Sequence, residues 1–299
     1  MLLSKLAFPE KLEIYNEKEF EALALVVQNP QKKFITFVNE KKYLSKLNEN
    51  VSMVITKPEL KDSIPSSCGI VISDNPTLTF FKLHNFLENN RDYVRSEYKT
   101  VIGNNCKIGK FASIAENNVT VGNNVIIEDF VTIYPNTTIS DNVIIRSGAK
   151  IGGQGYEYKR CSDDTILEVN HYGGVIIEHD ADIHCNTCIA RAVYPWDNTV
   201  IGDFSKISSL VVIGHGVKIG KRVFVAGGSV IGGRTEIDDN SWLGIGVTVK
   251  NALKINKNVS VNMGSVLAND LQDGKVVSGN YAVDQDVFFY HQLKVLGKR

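Results

Sequence analysis

Ile201-Gly202-Asp203-Phe204-Ser205-Lys206-Ile207-Ser208-Ser209-Leu210-Val211-Val212-Ile213-Gly214-His215-Gly216-Val217-Lys218-Ile219 places an isoleucine at every sixth position. Followed in both directions, the same phase runs from Ile177 to Leu267. Fifteen of its sixteen positions are Ile, Val or Leu, and the exception, Pro195, keeps the phase. The next residue is often small or acidic, as in Ile213-Gly214 and Ile231-Gly232. A second block repeats the pattern at Val121, Ile127, Ile133, Ile139, Ile145 and Ile151, and a shorter one at Ile102, Ile108 and Ile114.

A period of six is neither the 3.6 of a helix nor the alternation of an open strand. It predicts a mainly β protein, a parallel β-helix in which each hexapeptide supplies one short strand and one corner. Three repeats close a triangular coil, so every eighteenth residue stacks on its predecessor and the aliphatic side chains form inward ladders. Coils of this kind wind left-handed, against the usual rule for parallel crossovers. A β-sandwich with a chance period would not hold one phase over so many repeats.

A chain of 299 residues has room for one to three domains. Lys+Arg and Asp+Glu both number 33, so there is no net basic field and a nucleic-acid partner is not expected. Met1-Leu2-Leu3-Ser4-Lys5 is too short an apolar run for a signal peptide, and no apolar run is long enough for a membrane span. A cytoplasmic location is the resulting expectation. Five cysteines at irregular spacing do not read as a disulfide framework.

Residues 1–100 lack the six-residue period and read as a small α/β domain. Lys11 to Val27 has mixed character. Strands are expected at Phe34–Val38, Val51–Ile55 and Gly69–Ile72, with a helical stretch from Lys41 to Asn48 and a helix near Thr77 to Glu88 opened by Asn75-Pro76. Asn89 to Thr100 reads as a polar linker. The coils occupy 101–270, broken by an excursion over 152–174, which a rigid β-helix would position for function. Residues 271–299 form a tail. It turns at Ser278-Gly279-Asn280 and ends in a short helix from Asp284 to Arg299, with Val287, Tyr290 or His291, Leu293, Val295 and Leu296 on one face.

His215 is the leading candidate for chemistry. It lies two residues past an inward position, and its flanking glycines let a substrate approach the backbone. Gly233 stands eighteen residues later, where its N–H would lie above the imidazole and could hold an oxyanion. Arg234 beside it could bind a phosphate or form a structural ion pair. Cys185-Asn186-Thr187-Cys188 has the spacing of a zinc or redox pair but lacks a second pair, so no metal is expected. His179, His184 and His215 carry three imidazoles, but zinc-dependent carbonic anhydrases on such coils place the lone histidine before the pair, and here the order is reversed.

These residues resemble the UDP-3-O-acylglucosamine N-acyltransferases of lipid A biosynthesis over nearly the whole chain. Ile35 to Tyr43 and Val71 to Leu83 resemble that family's nucleotide-binding domain, in which two aromatic residues six apart clasp the uracil; Phe37 and Tyr43 have that spacing. Ile151-Gly152-Gly153-Gln154-Gly155-Tyr156-Glu157-Tyr158 resembles its glycine-aromatic loop, and Ile213 to Gly228 falls on its catalytic-histidine motif. The resemblance implies His215 as general base with Gly233 at the oxyanion. It also implies Phe37, Tyr43, Tyr156, Arg191 and Arg234 as substrate-binding residues. It further implies a homotrimer without bound cofactor, taking its acyl group from acyl carrier protein.

The chain departs from the family pattern in four places. Arg234 replaces the family's second histidine, Glu40-Lys41-Lys42-Tyr43 replaces Asn-Pro-Lys-Tyr, and Ile189-Ala190-Arg191-Ala192 lacks an acidic residue. The C-terminus stops after one helix, with only Lys294, Lys298 and Arg299 to face an acidic carrier. The departures lean toward a relative acting on another nucleotide-linked amino sugar with a short acyl-CoA. The lipid A enzyme itself stays open, with a zinc enzyme or a non-catalytic scaffold as remote alternatives.

Overall fold

Each hexapeptide contributes an inward aliphatic residue on a strand of two to four residues, and each strand pairs in parallel with the equivalent one in the next coil. Val121 lies against Ile139, Ile207 against Val225 and Ile213 against Ile231. The computed structural model describes residues 1–279, 282–295 and 297. Among these, the coil strands form three parallel sheets of nine, eight and eight members, the faces of a left-handed triangular prism. The ladder residues line its axis as one continuous buried cluster from Val119 to Leu267. The corners recur at the same period in the left-handed backbone region. Asn105, Asn124, Asn136, Asn142, Asn240 and Asn258 take many of them, as their short polar side chains favour.

The expected eighteen-residue step is not uniform. Ile102, Ile108 and Ile114 pair with Val121, Ile127 and Ile133, one residue more than a plain coil. Ile151 pairs with Ile189, because residues 154–173 leave the prism and form an antiparallel hairpin of Tyr158–Arg160 with Ile166–Glu168. This is the expected excursion. The next coil brings a correction: Ile177 pairs with Ile201 and Ile189 with Ile213, six residues too many. Pro195 is therefore no rung of the ladder. Residues 191–197 form a second excursion, and because it adds six residues it leaves the sequence phase unbroken.

The N-terminal domain is a five-stranded sheet of β1 (Glu13–Tyr15), β2 (Ala22–Leu23), β3 (Phe34–Val38), β4 (Val51–Thr56) and β5 (Gly69–Ile72). Its order is β1-β5-β4-β3-β2, with only β1 antiparallel. Lys11 to Val27 contributes strands and no helix, and Lys41–Lys46 is a 3-10 helix. Helix α1 (Pro76–Phe86) starts where Asn75 accepts the Leu78 N–H at 3.1 Å, an N-cap that satisfies one of the free donors of the first turn. It buries Phe80, Phe81 and Leu83 against the sheet.

Asn89 to Thr100 is polar in sequence but pinned in space. Tyr93 is buried, and Arg95 donates to Pro195 O at 2.8 Å, Asp197 O at 2.8 Å and Asn198 Oδ1 at 2.7 Å. Trp196 stacks on Tyr194 and donates from Nε1 to Leu23 O at 2.9 Å. A shared apolar cluster joins Phe80 and Phe81 to Val169, Val193 and Tyr194, so both excursions are packed into the N-terminal domain. Helix α2 (Gln285–Val295) buries none of its residues, so its expected apolar face lies open. Asn280, Leu296, Lys298 and Arg299 lie outside the described residues.

Candidate active site

His215 follows the strand Val212–Ile213 and sits at the corner from which both excursions leave in the coils below. Gly216 next to it has φ +68°, and its N–H donates to Thr199 Oγ1 at 2.8 Å, which fixes the corner. The imidazole is sandwiched. On one side an atom at the Cβ position of Gly233 would lie 2.7 Å from His215 Nε2, so only glycine leaves the ring its place. On the other, Gly155 of the excursion passes so close that a Cβ there would lie 2.6 Å from His171 Nε2 and 3.2 Å from His215 Cβ. The Gly233 N–H finds no acceptor among the described residues.

Four further side chains converge on this ring. Glu157 Oε2 is 3.3 Å from His215 Nε2, and the same oxygen is 2.9 Å from an Arg234 guanidinium nitrogen. Lys159 holds the other carboxylate oxygen and lies 4.5 Å over the Phe81 ring, tying the hairpin to α1. The ring of His171 meets that of His215 edge-on, with centroids 5.2 Å apart. Burial, then the neighbouring His215, lowers the His171 pKa to about 4, and its Nδ1 bonds to Val169 O at 2.9 Å. Burial pushes the Glu157 carboxyl up, but the adjacent His215 ring and the charges of Arg234 and Lys159 prevail and hold it well below the usual carboxylate range.

This cluster forms the wall of a groove of about 1160 Å³ that runs from the hairpin over the coil face, with Tyr156, Arg160, Val212, Ile231 and Asn251 also on its lining. The His215 imidazole, the Glu157 carboxylate, two cations and the Gly233 backbone then line one solvent-filled space. The set can move a proton and hold a developing negative charge.

The structure brings His215, Gly233, Arg234 and Tyr156 to this groove. Tyr156 is 87% exposed at its mouth, with the Tyr158 ring 4.9 Å away. Arg234 takes the ion-pair alternative, bonded to Glu157. Arg191 is not on the groove wall: its backbone N–H donates to Gly153 O at 3.0 Å, and the Nε of its partly buried guanidinium has no partner among the described residues. Phe37 and Tyr43 are not on the groove wall either. Phe37 packs on Phe80 and Phe81, while Tyr43 belongs to the cluster that includes Phe34 and Val38. Among the described residues, no three His, Cys, Asp or Glu side chains gather as metal ligands.

Sequence reasoning passed over Glu157, Lys159 and His171. A signal for the first two was present: in Tyr156-Glu157-Tyr158-Lys159-Arg160 the strand period puts Glu157 and Lys159 on one face and the tyrosines on the other. Only the pairing of the hairpin says which face meets His215.

The bacterial transferase hexapeptide family pattern (six repeats) matches residues 118–153 and 198–233. The chain is 29% identical to the UDP-3-O-acylglucosamine N-acyltransferase of Coxiella burnetii, covering 89% of this chain and 85% of the relative. It is 28% identical to the Helicobacter pylori protein of the same name, covering 82% and 78%. Among solved structures, the UDP-N-acetylglucosamine acyltransferase of Francisella novicida superposes with a TM-score of 0.52 at 23% identity, over 67% of this chain and 72% of that one. That likeness is one of fold. Coil, site and relatives together define a hexapeptide-repeat acyltransferase. Within that class, the chain resembles the UDP-3-O-acylglucosamine N-acyltransferases.

Proposed function

We propose that the protein transfers an acyl group from a thioester to the amine of a nucleotide-linked amino sugar. The observation that carries this is the seat of His215, whose Nε2 faces the groove between Gly233 and Glu157. An amine must lose a proton as it attacks a carbonyl, and an imidazole accepts one near neutral pH without large tuning. In this reading His215 takes that proton, the Gly233 N–H receives the oxyanion of the tetrahedral intermediate, and the thiol departs along the coil face. Amine acceptance is supported by the relatives' names, which specify N-acylation of a UDP-linked glucosamine.

The donor is acyl-CoA or acyl carrier protein, the assembly a homotrimer, and the compartment the cytoplasm. The narrower reading, the lipid A enzyme itself, is equally favoured by the relatives. Thiol release from acetyl-CoA and from a long-chain acyl carrier protein, each with a UDP-linked amino sugar, tests both. Turnover with acetyl-CoA indicates a sugar-modifying enzyme, and turnover with the carrier protein alone indicates the lipid A step. Release with neither, across several amino sugars, would refute the proposal.

A further inference from the structure

We propose that Glu157 receives the nitrogen of the acceptor and makes the site selective for amines over hydroxyls. The inference rests on the acyltransferase reading and concerns which nucleophile the site admits. Glu157 Oε2 lies 3.3 Å from His215 Nε2 on the groove wall, so an atom presented to that nitrogen is within reach of the carboxylate. A hydroxyl has one hydrogen and spends it on the base. An amine has a second, and an ammonium a third, so a nitrogen can bond His215 and Glu157 together.

Charge points the same way. The groups around Glu157 are Lys159 two residues on in the hairpin, Arg234 and His215 from the coils, His171 at the end of the first excursion and Tyr194 from the second. Asp197, near Tyr194, is already held by Lys218 at 2.5 Å. Lys159 and Arg234 both pair with Glu157, so the centre has two cations for one carboxylate. A substrate with an ammonium and a diphosphate matches both signs, its ammonium at Glu157 and its phosphates toward the surplus cation. Arg234 and Lys159 keep Glu157 ionised, so it remains an acceptor throughout the working range.

The proton count closes. The bound ammonium gives up one proton to water, and the freed amine forms the C–N bond as the C–S bond breaks. The attacking nitrogen passes its second proton to His215, which returns it to the leaving thiolate. Glu157 accepts hydrogen bonds throughout and gains no net proton.

The test compares UDP-glucosamine with UDP-glucose as acceptor, using the thioester donor that the protein accepts. In Glu157→Gln the ratio of amine to hydroxyl turnover should fall about ten- to a hundredfold, the worth of a hydrogen bond to a charged group. An equal loss with both acceptors, or no loss, would overturn the inference while leaving the acyltransferase reading intact. Binding to the wild-type protein without donor supplies a check that needs no variant. Affinity for UDP-glucosamine should fall as pH rises through the amine's own pKa, and affinity for UDP-glucose should not. An amino-sugar affinity that stays flat or rises with pH also overturns it. Wild-type protein that releases no thiol with any acceptor removes the acyltransferase reading and this inference with it.

Discussion

His215 and Gly233, eighteen residues apart in the chain, are in direct contact: a Cβ on Gly233 would stand 2.7 Å from Nε2 and 2.8 Å from Cε1 of the imidazole. The Gly233 backbone is not in the left-handed region, so its constraint is one of space rather than of φ. Gly233→Ala should fold normally, push the ring aside and lower kcat/KM about a hundredfold, since small displacements at a reacting centre cost that much. Steady-state kinetics beside a melting curve would show it. An active Gly233→Ala enzyme would mean that the ring does not work in this position.

His215→Ala removes the imidazole whose Nε2 lies 3.3 Å from Glu157 Oε2. Loss of a general base costs roughly 10²–10⁴ in rate. The ring is nevertheless small and lies outside the apolar ladder, so the melting temperature should change little. A loss under tenfold in thioester turnover would sink the assignment.

Trp196 holds the second excursion to the N-terminal domain through its stack on Tyr194 and its bond to Leu23 O. Trp196→Ala should cost roughly 3 kcal/mol, the range of a large aromatic truncation with a lost hydrogen bond. Denaturant unfolding followed by fluorescence should then show the N-terminal domain melting earlier than the coils. A single unshifted transition would contradict this docking.

Two buried histidines set an acid limit. Burial lowers His84 to about 4, with its ring nitrogens on Tyr93 Oη and Asn170 O, and His171 is lowered to about 4 as well. In the unfolded chain both would protonate near 6.5. Between those values the unfolded state binds more protons, so stability is complete above about pH 6.5, falls as pH drops through the window and levels off below about 4. Each histidine can cost up to about 3 kcal/mol. Denaturant midpoints at pH 7 and pH 4.5 should differ by several kcal/mol in free energy, and His84→Gln should flatten part of that slope. Equal midpoints would show that neither ring is withheld from its proton.

The prism was legible residue by residue because its signal is local and repeated. One aliphatic side chain in six must point inward, and each coil repeats the demand on Ile201, Ile219 and Ile237. His215 and Gly233 followed from the same arithmetic, since a stack of eighteen-residue coils turns sequence spacing into spatial contact. Pro195 marks where the arithmetic failed: an insertion equal to the period is invisible to the period.

What the sequence by itself determined was the scaffold and the corner at which His215 stands. Only the tertiary structure decided what surrounds that corner. Both excursions leave the prism at this same corner in successive coils, and Phe81, Tyr93 and Trp196 pack them against the N-terminal domain. Glu157, Lys159 and His171 reach His215 through that packing. Such contacts join segments far apart in the chain with no common period. Their physical cause is shape and charge complementarity between folded parts, and no local pattern encodes it.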